Sequence, residues 1–578
     1  MIIKYKKVLF LSALLMVSGC ENGNTTIGNP LGSDNKNGNA DTTPPVLTLK
    51  GPSLLNLTVG NTYEESGATA IDDVDGDIST KIIVGGDTVN TSTAGTYAVA
   101  YDVSDNAGNE AVTLTRDVVV NLAGTPPKTG GKPWEHGKLE VDGRMLKHAD
   151  NTGFFWMGDT AWMLARNYIL PKADIPAPLS KEDVDMYLQD RADKGFNVIQ
   201  MSAVQDGDWL TSSTVHYAPF EEGKYKKLKS EYWDKVDYIV QKAEQLGLYI
   251  ALLPAWDMDI NSHGLVNTEK ARSYGTAIAN RYKNSPNIIW VIGGDSPQKP
   301  SSDAWKKKRQ VWHTLGQTIQ SVVGQTQLIT YHPGTGINWL LETTTPIVVN
   351  GKNEGNFGDS WLDFFMIQSG HGASMQDANK RLSDLYASGL DKPMLDGEPR
   401  YEEIHKGFDN SYPAYGAKDV REIAYRQLFS GAFGHTYGNN AIWQFWKKGN
   451  SSCCSTPANS WDVALNDDGA KQMKFVAKLM RSRPILNRVP NQSLISNGNG
   501  IATKGNGYAM VYLPKGGSIT VGLDKIASSV KAWWFNPKNG VATPIDTYQT
   551  SSQVFTTGSD DMVLVLDDVS RGFTTPGE

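Results

Sequence analysis

Between Trp134 and about residue 482, short apolar runs alternate with longer stretches of helical character, and no other feature constrains the fold as tightly. Phe154–Met157, Asn197–Met201, Tyr249–Leu253, Ile288–Ile292, Leu328–Tyr331, Phe365–Gln368, Pro393–Leu395 and Ala441–Trp443 read as strands. Residues 182–195, 232–246, 269–283 and 302–323 read as helices between them, with Ser180 placed to cap the first and Glu182 beside it. Strands that are apolar without alternation are buried on both faces, as in a parallel sheet covered by helices. Eight of them over roughly 350 residues predict a closed, TIM-type (β/α)8 barrel. The open doubly wound sheet is the alternative. Its mark is a glycine-rich phosphate turn after the first strand, and Met157-Gly158-Asp159-Thr160-Ala161-Trp162 stands there instead.

The texture differs on either side, so the expected fold class is multidomain. Lys4, Lys6 and Lys7 precede the apolar stretch Val8–Val17, too short to span a bilayer, and residues 1–19 read as a signal peptide. That stretch runs into Val17-Ser18-Gly19-Cys20, which resembles a bacterial lipobox. Cys20 would then be the lipidated first residue of an exported chain in the bacterial cell envelope, on the outer membrane or a periplasmic face. An ordinary signal peptide with an incidental cysteine is the alternative. Residues 20–43, rich in Asn, Gly, Ser, Asp and Thr, read as a tether. Short strands at Val46–Leu49, Lys81–Val84, Thr96–Val103 and Val112–Thr115 suit an N-terminal β-sandwich over 44–122. Its Glu65-Ser66-Gly67-Ala68 and Asp105-Asn106-Ala107-Gly108-Asn109 resemble bacterial Ig-like domains. The alternating Asp73, Asp75 and Asp77 read either as a solvated turn or as oxygen ligands for calcium. Residues 123–133 read as a linker, 134–483 as the barrel, and 484–578 as a C-terminal all-β domain with strands at Tyr508–Leu513, Ser518–Val521, Val530–Phe535 and Met562–Leu566.

A net charge of -7 leaves no basic surplus to neutralise phosphates, so nucleic acid is not an expected partner. Besides Cys20 the only cysteines are Cys453 and Cys454, adjacent and without a nearby histidine, which leaves their bonding open and disfavours a metal site. The 16 Trp and 23 Tyr fit large cores and fit sugar platforms equally, since flat rings stack on sugar faces while their edges hydrogen-bond.

Active sites of such barrels lie at the C-terminal ends of the strands. In strand order those positions hold Asp159; Gln205, Asp206, Asp208 and Trp209; Trp256, Asp257 and Asp259; Asp295; His332; His371; Asp396, Glu398 and Arg400; and Gln444 and Trp446. The rim is acidic and aromatic, suited to a hydroxyl-rich ligand and to proton transfer. Cleaving a glycosidic bond needs one carboxyl to protonate the leaving oxygen and a second to attack or to activate water. Strands four and seven face each other across an eight-stranded mouth, and Asp295 and Glu398 follow those two. Asp396 competes with Glu398, because alternation puts both on one side. Asp159, His332 and His371 read either as ligands of sugar hydroxyls or as a buried polar network. Trp256 and Trp443 read as stacking platforms or as core.

The motifs Gly158-Asp159-Thr160-Ala161-Trp162, Trp290-Val291-Ile292-Gly293-Gly294-Asp295, Ile367-Gln368-Ser369-Gly370-His371 and Leu395-Asp396-Gly397-Glu398-Pro399-Arg400-Tyr401-Glu402 resemble the apiosidase-like catalytic domain, glycoside hydrolase family 140 and its relatives. Trp533-Trp534-Phe535-Asn536-Pro537-Lys538-Asn539-Gly540 resembles the small β-domain that follows it, which carries a collagen-binding label. The resemblance implies a retaining hydrolase with Asp295 as acid/base and Glu398 as nucleophile. It implies no metal or organic cofactor, and a plant or algal polysaccharide or oligosaccharide as substrate, pectic side chains first. The competing expectation is a non-catalytic surface glycan-binding lipoprotein, which would not need two carboxyls facing each other.

Overall fold

The computed structural model describes residues 41–50, 53–58, 62–93, 95–121, 132–170, 178–204, 219–221, 224–256, 267–296, 302–349, 351–450, 452–453 and 455–578. The signal segment, Cys20, most of the tether, most of the linker, Cys454 and the rim positions Gln205, Asp206, Asp208, Trp209, Asp257 and Asp259 lie outside them. Among the described residues no helix is long and apolar enough to cross a membrane. The chain divides into two units, Met1–Thr129 and Gly130–Glu578.

The first unit is an Ig-like sandwich. One sheet joins Val46–Leu49, Ala68–Asp72 and Gly76–Asp77, and the other joins Leu54–Thr58, Leu114–Asn121, Gly95–Asp102 and Ile83–Gly86. Val99, Tyr101 and Val118 fill the space between them.

The second unit is built around eight parallel strands. They are β1 (Trp156–Thr160), β2 (Val198–Ser202), β3 (Tyr249–Leu253), β4 (Ile288–Ser296), β5 (Ile329–Pro333), β6 (Phe364–Ile367), β7 (Met394–Asp396) and β8 (Gly434–Tyr437). Neighbours pair in sequence, β8 pairs with β1, and the Phe433 amide donates to the Met394 carbonyl at 3.1 Å to bring β7 against β8. The helices around it are α1 (Lys181–Asp193), α2 (Ser230–Gln245), α3 (Thr268–Tyr282), α4 (Asp303–Val323), α5 (Met375–Ala387), α6 (Ala417–Phe429) and α7 (Asp468–Arg481). Ser180 caps α1 as expected. Asp183 rather than Glu182 completes the reciprocal box, accepting from the Ser180 amide at 2.8 Å.

Alternation along each strand separates two apolar layers. Trp156, Val198, Ala251, Val291, Phe364 and Leu395 point into the barrel, while Met157, Ile199, Ile250, Trp290, Phe365 and Met394 point towards the helices. Trp156, Phe364 and Phe433 meet edge to face at 5.4–6.3 Å and plug the interior below the mouth.

The eighth strand corrects the sequence reading. Ala441–Trp443 lies in the short helical turn Asn440–Trp443, whose Ala441 amide is capped by Asn439 Oδ1 at 2.8 Å. The strand is Gly434-His435-Thr436-Tyr437. It carries no apolar run because Thr436 faces inward to accept the Trp156 indole N–H at 3.1 Å, so pattern alone passed over it.

Strands over 489–568 form a six-stranded and a three-stranded sheet. The larger sheet shares a core with the barrel helices: Tyr508, Met510, Tyr512, Val563 and Val565 cluster with Tyr425 of α6 and Met473 of α7. Tyr425 and Tyr512 stack at 5.2 Å. Two buried ion pairs cross the same seam, Arg421 with Asp561 and Arg483 with Asp567, the latter at 2.6 Å. Asp561→Ala strands the Arg421 guanidinium in that seam, and the expected loss is about 3–5 kcal/mol of unfolding free energy. Urea denaturation followed by tryptophan fluorescence measures it; a loss under about 1 kcal/mol, the range of surface pairs, contradicts the assignment.

Candidate active site

The mouth is shaped by an irregularity in β4. Gly293 pairs with His332 and Ser296 with Pro333, so Gly294 and Asp295 are extra residues on one strand. The backbone crosses them with φ of +98° at Gly293, +124° at Gly294 and +46° at Asp295. A Cβ on Gly294 would sit 2.8 Å from the Trp256 ring, and one on Gly293 would sit 2.4 Å from the His332 carbonyl. Both positions require glycine, and the bulge they permit carries Asp295 over the barrel opening.

Glu398 stands opposite, in the turn after β7. Asp396 fixes that turn: its Oδ1 accepts the Ser369 and Glu398 amides, both at 3.2 Å, and its Oδ2 accepts Gln427 Nε2 at 2.5 Å. Gln200 of β2 donates to the Gly397 carbonyl at 2.8 Å. Asp396 therefore faces the helices with Met394, as a brace for Glu398 and no longer its competitor.

Carboxylate oxygens of Asp295 and Glu398 and a ring nitrogen of His332 all lie within 4.8 Å of one another. Glu398, 6% exposed, is held by His371 Nε2 at 3.0 Å from Oε1. His332 Nε2 lies 3.3 Å from Oε2, near enough for charge but poorly aligned for a hydrogen bond. Burial alone pushes the Glu398 carboxyl upward, yet the two histidines outweigh it and hold it well below the usual range. Asp295 behaves oppositely. The residue is exposed at the mouth, yet desolvation by the protein packed around it, followed by the charge of Glu398, pushes its carboxyl up to about 6. Gln368 Nε2 donates to Asp295 Oδ1 at 2.6 Å, and Thr335 Oγ donates in turn to Gln368 Oε1 at 3.1 Å.

Aromatic rings wall this pair. Trp162 and Trp256 lie 5.0 Å apart, with His332 at 5.2 Å from Trp162 and 5.8 Å from Trp256. Tyr401 packs on His371 at 4.5 Å, and its hydroxyl accepts Trp162 Nε1–H at 3.2 Å. Trp443 joins the same apolar cluster, and its carbonyl accepts the Met163 amide at 3.0 Å. Trp256 and Trp443 are 7% and 8% exposed, so each offers at most an edge to the mouth.

Asp159 is corrected. It shares its parity along β1 with Met157 and points at α1, where its Oδ2 accepts the Tyr187 hydroxyl at 2.7 Å and Arg191 Nε at 2.6 Å. It is fully buried and braces strand to helix, out of reach of any sugar.

Residues 140–487, more than half of the chain, match the family described as the apiosidase-like catalytic domain. The chain belongs to that family. Residues 47–120 match the Ig-like domain of bacterial surface proteins, and 489–567 match a domain described as the collagen-binding domain of a collagenase. A solved glycoside hydrolase is 33% identical, with a TM-score of 0.63 over 76% of this chain and 98% of its own. A family 5 glycoside hydrolase from Bacteroides vulgatus is 30% identical, with a TM-score of 0.65 over 77% and 95%. No curated protein matches the sequence. By this kinship the apiosidase-like barrel is a glycosidase with a carbohydrate substrate.

The apiosidase-like motifs contain two residues whose roles sequence reasoning did not assign. Gln368 orients Asp295, and Trp162 links Trp256, His332 and Tyr401. Both stand just beyond strand ends, and that placement was the available signal. Asp295, His332 and Glu398 also form a donor set within a divalent cation's reach, but each carboxylate already has an N–H partner, which suits proton chemistry.

With Asp295 acting as a protonated acid, kcat/KM should be flat below about pH 6 and fall tenfold per unit above it. The acidic limb, set by the depressed Glu398, should lie well below pH 4. A stopped assay from pH 3 to 9 measures this, and a plateau extending past pH 8 contradicts the assignment.

Proposed function

We propose that this protein is a retaining glycoside hydrolase of the bacterial cell envelope, lipid-anchored through Cys20, acting on side chains of pectic polysaccharide. One observation carries the mechanism: two carboxyls close enough for direct attack, with acidities driven apart. Retaining enzymes hold the pair about 5–5.5 Å apart and inverting ones about 6.5–9.5 Å apart. One oxygen of each carboxylate lies within 4.8 Å of the other, and this close approach supports the shorter, retaining separation.

Ionised Glu398 attacks the anomeric carbon through one oxygen as the bond to the leaving oxygen breaks. The Asp295 proton passes to that oxygen, giving a glycosyl-enzyme and a free alcohol. Asp295, now a carboxylate, takes a proton from water as it adds to the anomeric carbon, and the bond to Glu398 breaks. The histidines keep Glu398 charged before attack and make it a competent leaving group afterwards. Gln368 keeps Asp295 aimed at the leaving oxygen. The pectic assignment rests on family membership, and the lipid anchor on the motif ending at Cys20.

The test is hydrolysis by the soluble form starting at Glu21, screened on pectic side chains and other plant or algal polysaccharides. Asp295→Ala and Glu398→Ala should remain folded and each lose at least about 10²–10⁴-fold in kcat, the contribution of one positioned acid or base. Proton NMR of the first-formed product should show the anomer of the substrate. Inverted product sinks the retaining mechanism. Glycan bound equally by all three proteins and cut by none makes the barrel a binding scaffold.

A further inference from the structure

The Ig-like unit holds a group of carboxylates that glycoside hydrolysis does not use. The alternating Asp73, Asp75 and Asp77 do not act together. Asp75 accepts the Asn106 amide at 2.6 Å and its side-chain N–H at 2.8 Å, one on each oxygen. Asp77 accepts the Ser79 amide at 2.9 Å and its hydroxyl at 2.5 Å. Asp73 instead joins Asp41 and Asp72, and one carboxylate oxygen from each lies within 4.8 Å of the other two.

Asp72 is the informative member. It ends the strand Ala68–Asp72 and is 4% exposed. Its Oδ1 accepts the amides of Val74 at 3.0 Å and Asp75 at 2.6 Å, which fixes the side chain. Its Oδ2 is buried and accepts no hydrogen bond. Asp41 is fixed too: its Oδ1 accepts the Thr43 amide at 3.0 Å and its carbonyl accepts Asn109 Nδ2 at 3.2 Å. Among the described residues no lysine or arginine ion-pairs with Asp41, Asp72 or Asp73. A buried carboxylate oxygen without a donor is unfavourable, and so are three carboxylates held together with no counter-charge. One cation relieves both.

We propose that Asp41, Asp72 and Asp73 bind a calcium ion. Ca²⁺–oxygen bonds of 2.3–2.6 Å place two ligand oxygens no more than about 5 Å apart, which this group satisfies. The donors are all hard oxygens, which disfavours zinc or copper. Water and nearby carbonyls complete the shell. The ion clamps the segment that precedes strand Val46–Leu49 onto the end of its antiparallel neighbour Ala68–Asp72, so calcium stiffens the entrance to the Ig-like unit.

The full chain, stripped with EGTA, is titrated with CaCl2 by calorimetry. The expected result is one ion per chain with Kd near 10⁻⁴–10⁻³ M, the range of extracellular calcium modules. The N-terminal unit should also melt higher in about 5 mM CaCl2 than in EGTA. Asp72→Asn should abolish binding. Asp73→Asn, at an exposed position, should weaken it about tenfold or more while melting like the parent in EGTA. No saturable binding by about 10 mM, or binding that both variants leave unchanged, overturns the proposal. Binding lost in Glu398→Gln and kept in Asp72→Asn places the ion at the barrel mouth and overturns it as well.

Discussion

Two carboxyl groups, with one oxygen of each within 4.8 Å of the other, govern the catalytic unit. At an effective dielectric of about 20, two full charges at that separation repel by about 3 kcal/mol, less where solvent reaches Asp295. The protein resolves this by giving the two groups opposite surroundings. Glu398 receives two histidines on its oxygens, which hold its carboxyl low, while burial and its partner's field push Asp295 up to about 6. Each state supports the other, because a charged Glu398 adds to the desolvation that raises Asp295 and a neutral Asp295 removes the repulsion from Glu398. The split suits one group to proton donation and the other to nucleophilic attack.

Holding that geometry requires strain at one point and rigidity around it. Asp295 has a left-handed backbone, which costs a non-glycine residue about 1–2 kcal/mol. The two glycines before it, the two-residue bulge against β5 and the Gln368 hydrogen bond compel it. On the opposite side the turn carrying Glu398 is braced from three directions by Asp396, Gln200 and Gly370, whose amide donates to the Glu398 carbonyl at 3.0 Å. Strain at Asp295 and bracing at Glu398 both concentrate where the proposed chemistry needs fixed distances.

Seven of the eight barrel strands were legible because a strand buried on both faces must be apolar along its length, and Tyr249–Leu253 emerges with the expected bounds. Gly434–Tyr437 was not, since it spends its inward position on Thr436 and its outward one on a buried histidine. A parity argument applied to β1 would have moved Asp159: two residues on from the helix-facing Met157, it had to face α1 and not the lumen. Asp295 and Glu398 were legible because strand ends across a barrel are predictable from strand order. Gln368 was visible in its motif, but its role depends on a side-chain direction that spacing does not carry. In the Ig-like unit the alternating Asp73, Asp75 and Asp77 do not form one ligand set, because Asn106 and Ser79 claim Asp75 and Asp77 through contacts distant in sequence or made by backbone.

The C-terminal β-domain matches a domain described as collagen-binding, yet one face of its larger sheet is already committed. Tyr508, Met510, Tyr512, Val563 and Val565 are buried with barrel side chains. Arg488 reaches back to donate to the carbonyls of Leu428 and Ala432, at the end of α6 just before β8. That stretch leads directly into the strand closing the barrel between β7, which carries Glu398 at its end, and β1. A tethered binding module would not hold a buried arginine on its host's backbone. Its contacts make it a rigid buttress for the side of the barrel on which Glu398 stands, so removing it should be felt first at β7 and β8.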